Sequence, residues 1–320
     1  MAGADDPTVV ATSSASPRAD RWRLATRTLH FADGPAVMGI LNVTPDSFSD
    51  GGRFDRVDAA VEQAFRLEQE GAAILDIGGE STRPGAPVVS VDDELRRVMP
   101  VIERLVGRLT IPISIDTSKA RVAREATAAG AEIINDVTGL EGDPEMLGTA
   151  IESQAGICAM HMRGNPRTMQ LDTRYDDVVG QTLAYLQLRR DAIERAGIEP
   201  ERVCLDPGIG FGKTHEQTFE MLRRVDRYLS LGRPVLIGHS RKGFLARLTG
   251  DPQRDRTAAT VGVALACAAR GVQVIRVHDV AATCEALRGF AIAGGCGEVA
   301  AVAAAERASR PETRRQERSG

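Results

Sequence analysis

Asp116, Asn135 and Asp206 lie at the ends of short apolar runs, in ISID, EIIND and VCLD, and each brings an oxygen that accepts hydrogen bonds. Three such acceptors converging on one place can hold a planar heterocycle with several N–H donors. A carboxylate pairs bidentately with an amino-pyrimidinone edge much as Asp or Glu pairs with nucleobase amines. Any one of the three, taken alone, reads equally well as a strand-end cap. Arg276 and His278 end a further run in VIRVHD. Two residues apart on a strand, they point the same way, which suits a phosphate clamp. Lys242 and Arg241, in SRK, are costly at a buried strand end without a partner. The alternative placement, the first turn of a helix, disfavours cations, and that mismatch favours a ligand role.

Two loops belong to the same chemistry. VTPDSFSDGG (43–52) is rich in turn residues, with Phe48 its one large apolar side chain, and reads as a ligand lid, with an ordinary surface loop as the plainer alternative. GGESTRPG (78–85) holds a carboxylate, two hydroxyls and Arg83 between glycines, a composition suited to anion capture by backbone N–H groups and a guanidinium. A solvated turn is the plainer reading of that segment. GIGFGKT (208–214) tempts a phosphate-loop reading, but the first glycine of that pattern falls on Pro207. His161 sits between Met160 and Met162 and reads as a pocket wall rather than a base.

These residues need a frame that brings strand ends together. The eight runs AVMGILN, AAILDIGGEST, IPISIDT, AEIIND, AGICAMHM, RVCLDPG, RPVLIGHSRK and VQVIRVHD alternate with helix-like segments. Unbroken Val/Ile/Leu runs mark strands buried on both faces. Eight of them with crossover helices predict a single (β/α)8 barrel, an α/β fold whose chemistry lies at the C-terminal strand ends. The expected organisation is a disordered tail over 1–20, a barrel over 21–300 and a charged tail over 301–320. A hairpin within RLATRTLHFADGPA, turning at Asp33-Gly34, is expected to close the barrel bottom. Leu95, Val98, Met99, Ile102, Leu105 and Val106 form one helical face, and Val57, Val61, Ala64 and Leu67 another. Pro100 is expected to end or kink the first of these helices.

Composition narrows the class. The chain has 320 residues, 42% of them hydrophobic, enough for one large core. With 40 basic and 44 acidic residues, a net charge of −4 gives no nucleic-acid footprint. No apolar stretch has the length to span a bilayer, and the first residues have no signal-peptide character. The five cysteines show no CxxC spacing, so a reduced cytosolic compartment is expected.

Together, MGILNVTPDSFSDGG, ILDIGGESTRPGA, SIDTSKA, INDV, MHMRGNPRTMQ, LDPGIGFGK, SRKGFLA and IRVHDV resemble the dihydropteroate synthases of folate biosynthesis over about residues 36–293. The resemblance implies condensation of 6-hydroxymethyl-7,8-dihydropterin pyrophosphate with p-aminobenzoate, with SN1-like loss of pyrophosphate. It implies a pterin site of Asp116, Asn135, Asp206 and Lys242, with Met160 and Phe211 among the substrate-binding residues. Pyrophosphate would lie against Asn42, Arg83, Arg276 and His278, with Mg²⁺ reached through Asn42. Thr82, Pro84, Ser240 and Phe48 would frame the p-aminobenzoate pocket. Asp116, Lys242, Arg276 and His278 are the residues to which it gives catalytic roles, and a homodimer is its implied assembly. His239 departs from the pattern, since family members often carry another residue before SRK. Two alternatives share the pterin contacts: a methyl-transferring pterin barrel, and a non-catalytic pterin-binding paralogue. The intact STRP, SRK and RVHD motifs count against both.

Overall fold

The computed structural model describes residues 18–44, 53–83, 85–251 and 253–295. Eight parallel strands form the barrel: β3 (Ala36–Asn42), β4 (Ile74–Gly78), β5 (Ile113–Asp116), β6 (Ile133–Asp136), β7 (Gly156–Met160), β8 (Val203–Asp206), β9 (Leu236–Gly238) and β10 (Val274–Val277). They pair in the order β8-β7-β6-β5-β4-β3-β10-β9. A bridge between Leu205 and Val235, with Leu205 N–H donating to Pro234 O at 2.9 Å, brings the two edges together. All eight predicted runs are barrel strands.

Strand alternation separates two apolar layers. Val37, Leu75, Ile115, Ile134, Ile157, Val203, Ile237 and Ile275 face outward into the cluster shared with the helices. Met38, Ile74, Ile133, Cys158, Cys204, Leu236 and Val274 face inward and form the floor of the barrel. Because side chains repeat every second residue, Asp76, Asp116, Asn135, Asp206 and Arg276 share the inward parity. They are the polar upper storey of the same interior.

A two-stranded ribbon, β1 (Arg21–Arg23) with β2 (Thr28–His30), closes the bottom. Its turn is not at Asp33-Gly34 as the sequence suggested. It lies at 24–27, where Leu24 N–H donates to Arg27 O at 2.8 Å. The reason is tertiary. Glu132 accepts from Thr26 N–H at 3.2 Å and from Thr26 Oγ1 at 2.6 Å, and pairs with Arg27 at 2.9 Å. Trp22 from the ribbon is buried among the floor residues.

After α1 (Arg53–Gln69), the helix α2 (Val91–Leu105) starts at Ser90, whose Oγ accepts from Asp93 N–H at 3.1 Å. Its predicted apolar face is present, although Val106 lies past the end as the exposed cap. Pro100 does not end it, since the helix runs on to Leu105. Proline in a helix interior costs about 3 kcal/mol. Val101, Ile102 and Leu105, all fully buried beyond it, each return roughly 1.5–3 kcal/mol. Phe48, Pro84, most of the 43–52 loop and the terminal stretches 1–17 and 296–320 lie outside the described residues. Among the described residues, no helix is long and apolar enough to cross a membrane.

Candidate active site

The inward polar residues meet around one guanidinium. Arg276, on β10, donates from Nε to Asp76 Oδ2 at 2.6 Å and from Nη2 to Asp116 Oδ2 at 2.7 Å. Asn135 Nδ2 donates to the same Asp76 oxygen at 3.1 Å. Strand register explains the meeting: Asp76 lies beside Ser114, Asp116 beside Asn135, and Gly238 beside Arg276. From β10 the arginine reaches past β3 to carboxylates on β4 and β5. Asp76 Oδ1 is buried without a hydrogen-bond partner among the described residues. A buried, unsatisfied carboxylate oxygen is uncommon in a stable core and marks a place held open for a donor.

Electrostatics at this mouth are strained. Burial pushes the Asp116 carboxyl up to about 7; the Arg276 charge opposes the rise, and Asp76, Glu94 and Asp136 add to it. Burial also raises Asp206, against the pull of Lys242 and of the Gly208 N–H, which donates to Asp206 Oδ1 at 2.7 Å. Gly208 has φ +67°, and a Cβ there would lie 2.0 Å from His161 O, so only glycine makes this turn. Lys242, just past β9, donates to Ile209 O at 2.5 Å and lies 4.3 Å from the centre of the Phe211 ring. Burial brings its pKa down to about 8, with nearby Asp206 resisting. Met160, at the end of β7, is buried beside Asp206 in register. Asp116, Asn135, Asp206, Lys242, Phe211 and Met160 thus line one side of the mouth.

His278 and Ser240 form a second pair. Ser240 Oγ accepts from His278 N–H at 3.1 Å and shares a 3.1 Å hydrogen bond with His278 Nδ1. Burial, then Arg276 and Arg241, bring the His278 pKa down to about 4, and Arg83 adds to the fall. At neutral pH His278 is therefore an uncharged donor, and the positive charge on this side belongs to Arg276 and Arg83. Arg276 itself is held firmly protonated by Asp76 and Asp116, which overcome its burial. Thr82 is half-buried and Arg83 exposed, on the loop after β4.

Asn42, at the end of β3, is half-buried on the inward parity. Among the described residues no cluster of three or more His, Cys, Asp or Glu side chains could hold a metal. Mg²⁺ does not require one. It commonly takes one or two protein oxygens together with substrate phosphates and water. A single amide oxygen beside a phosphate site fits that donor set.

Two groups were given no role in the site by the sequence reading. Asp76 stands in the middle of ILDIG rather than at its end. Its signal was a carboxylate on the inward parity of a strand with no polar neighbour. Lys213 is buried, and its Nζ lies 2.9 Å from His161 Nδ1, Gly208 O and Phe211 O. It ties the loops after β7 and β8 together, so GIGFGKT binds its own backbone rather than a phosphate. His161 is pushed down to about 3 by burial and by Lys213, and packs edge-on against Tyr185 at 4.8 Å.

Comparison with known proteins agrees with this geometry. The family model described as pterin binding enzyme matches residues 38–278. A dihydropteroate synthase from Synechocystis sp. is 46% identical over 250 residues, covering 78% of this chain and 86% of the relative. A Xanthomonas albilineans dihydropteroate synthase solved with 4-aminobenzoic acid superposes with a TM-score of 0.79 at 47% identity, covering 85% of this chain and 97% of that one. The same enzyme in complex with 7,8-dihydropteroate gives 0.76 at 45% identity, covering 84% and 97%. This chain belongs to the pterin binding enzyme family, in its dihydropteroate synthase group.

Proposed function

We propose that this chain is a transferase that joins 6-hydroxymethyl-7,8-dihydropterin pyrophosphate to p-aminobenzoate, releasing pyrophosphate and forming 7,8-dihydropteroate. The observation that carries this reading is the division of one barrel mouth. Acceptors line one side, the buried Asn135 and Asp206 with the partly buried Asp116. A guanidinium anchored by two carboxylates reaches in from the other. A ring rich in N–H donors suits the first side, and an anionic leaving group suits the second. The ligands seen in the Xanthomonas albilineans structures, 4-aminobenzoic acid and 7,8-dihydropteroate, support the same assignment.

In this reading Asp206 accepts from the amino and ring N–H edge of the pterin. Asn135 is a second partner, and Lys242 donates to ring acceptors. Met160 and Phe211 contact the ring. Arg276 and Arg83 receive the negative charge that collects on the departing pyrophosphate, so their pull strengthens as the C–O bond breaks. His278 adds a neutral hydrogen bond there, held in place by Ser240. As the C–O bond breaks, the cation left on the pterin methylene is stabilised by Asp116. The arylamine nitrogen then attacks with its own lone pair and afterwards loses a proton, so no Ser or Cys nucleophile is required. Thr82 and Ser240 bound the arylamine pocket, with Phe48 and Pro84. Mg²⁺ held through Asn42 would neutralise further charge on the pyrophosphate. A homodimer and a cytosolic location are proposed on the resemblance and on the buried free thiols Cys158, Cys204, Cys267 and Cys284.

The test is incubation of the protein with the pterin pyrophosphate, p-aminobenzoate and Mg²⁺, with dihydropteroate and pyrophosphate measured together. Equal amounts of both are expected. Methyl transfer from a methylated folate, with no pyrophosphate released, would overturn the reading.

A further inference from the structure

The loop after β4 carries Thr82 and Arg83, and its base is built around one carboxylate. Glu80 Oε1 accepts from Val89 N–H at 3.1 Å, while Oε2 accepts from Lys119 Nζ. Glu80 thereby joins both ends of the 80–89 loop to the N-terminal cap of α3 (Ala120–Ala129). The Lys119 ammonium is shared. It also donates to Glu94 Oε2 at 2.5 Å, and Glu94 is fully buried on α2. The other Glu94 oxygen is buried with no hydrogen-bond partner among the described residues, so Lys119 is its counter-charge.

The same backbone is pressed onto α2 by packing. A Cβ at Gly79 would lie 2.8 Å from Val98 Cγ1 and 3.0 Å from Glu94 Cγ, so glycine permits the approach. Arg97 Nη1 donates to Gly79 O at 2.7 Å. Burying the Glu94 carboxylate against one ammonium is expensive, and apolar packing would hold α2 against the sheet as well. What the charged arrangement adds is direction: three elements are fixed to one point. A misplacement of about 1 Å in a substrate-contacting group costs far more in rate than in stability.

We propose that Lys119 is a positioning residue which, by bridging Glu80 and Glu94, sets where the 80–89 loop presents Thr82 and Arg83 over the barrel mouth. It acts through that loop rather than on a substrate. The proposal rests on the reading that Thr82 faces the arylamine and Arg83 the pyrophosphate.

Three variants test it. Lys119→Met leaves the buried Glu94 charge without a partner and threatens folding. Glu80→Ala avoids that problem, because the Lys119–Glu94 pair stays intact while the loop is released. Lys119→Arg keeps the charge within reach of both carboxylates. Glu80→Ala is expected to raise the KM for p-aminobenzoate about tenfold. Its affinity for the bare dihydropterin, measured by calorimetry, is expected to stay within about twofold, since Asp206 and Lys242 are elsewhere. Lys119→Met is expected to show the same split, and Lys119→Arg to recover most of the arylamine KM. A folded Glu80→Ala protein with unchanged arylamine KM overturns the proposal. So does a loss of arylamine and bare-pterin affinity in parallel, which is the mark of general destabilisation. A wild-type protein that forms no dihydropteroate overturns the functional reading first, and that result is visible without any variant.

Discussion

At the closed end of the barrel Trp22 is buried among Met38, Ile74, Ile133, Cys158 and Cys204, and its one polar atom, Nε1, donates to Arg202 O at 2.8 Å. At the open end Asp76 is just as buried, yet Arg276 and Asn135 share one of its oxygens and the other has no partner. Arg202, itself buried, sends Nε to Ala155 O at 2.9 Å and Nη2 to Ala150 O at 2.6 Å. Its Nη1 donates to the exposed Glu199 at 3.1 Å, whereas Arg276 is held by the carboxylates of Asp76 and Asp116, facing the mouth. The floor is mostly apolar packing, and Trp22 and Arg202 spend most of their polar atoms on backbone carbonyls, which is how stability is made. The mouth keeps charge buried and hydrogen-bonding capacity unspent, which is how a site is kept ready for a ligand. The same inward parity of the same strands supplies both, a few ångströms apart.

The sharpest way to break this comparison is to neutralise the mouth. Arg276→Met removes the charge that, in the proposed function, meets the leaving pyrophosphate, and leaves Asp76 and Asp116 without their cation. A single-turnover rate lower by roughly 10³-fold is expected, about 4 kcal/mol of barrier. Because Arg276 touches Asp116 directly, bare-pterin affinity is expected to fall as well, by about tenfold. Quenched-flow kinetics and calorimetry on one preparation separate the two. Normal turnover in this variant would show that the mouth's buried charge is structural, like the floor's.

The floor predicts the opposite pattern. Trp22→Ala empties the centre of the apolar layer and strands the Arg202 carbonyl. A loss of roughly 3–5 kcal/mol in stability is expected, read by urea unfolding. The folded fraction should keep its kcat, since no floor residue reaches the ligand. A Trp22→Ala protein of normal stability but poor activity would mean that the two ends are coupled.

The difference between the two ends also explains what could be read from the sequence. The eight strands were legible because burial on both faces leaves continuous Val/Ile/Leu runs. Asp116, Asn135, Asp206 and Arg276 were legible because each interrupts such a run near its end. Asp76 was visible as the first polar residue of its run, but its place in the site was not, because parity rather than position aims it at the mouth. The ribbon turn escaped because Glu132, more than a hundred residues away, fixes Thr26 and Arg27. Asp33-Gly34 had the better local signal and lost to that long-range contact. The Glu80–Lys119–Glu94 cluster spans three elements, and no local pattern announces it.

A third test concerns acid. His239 is buried at the end of β9, and its Nε2 donates to Thr260 O at 2.8 Å while Nδ1 has no partner among the described residues. Burial lowers its pKa from 6.5 to about 4. As pH falls, the unfolded chain takes this proton first. Between pH 6.5 and 4 the unfolded state therefore binds more protons, and stability drops with pH across that window while remaining full above it. A shift of this size is worth about 3 kcal/mol. His239→Leu removes that component. The wild type should thus lose about 3 kcal/mol more than the variant between pH 7 and pH 4. Parallel stability curves for the two proteins would show that His239 exchanges protons in the folded state as freely as in water.

The smallest effect separates two neighbours within the mouth. Arg276 is held protonated by two carboxylates, whereas burial and nearby arginines keep His278 neutral above about pH 4. If His278 gives the pyrophosphate only a neutral hydrogen bond, its loss costs far less than the loss of Arg276. His278→Gln keeps a donor of similar reach and can still meet Ser240 Oγ. A drop of about fivefold in kcat/KM is expected, near 1 kcal/mol, the usual worth of one neutral hydrogen bond. Any break in the wild-type kcat/KM profile near neutral pH should persist in His278→Gln, because the raised Asp116 carboxyl, and not an imidazole, titrates there. The comparison is read in the same quenched-flow experiment as Arg276→Met. A His278→Gln loss as large as that of Arg276→Met, joined to a break near pH 6.5 that the variant abolishes, would make His278 an imidazolium. The mouth would then carry three positive charges on the leaving-group side, with Arg276 and Arg83, and its strain would be shared between β10 and the loop beyond it.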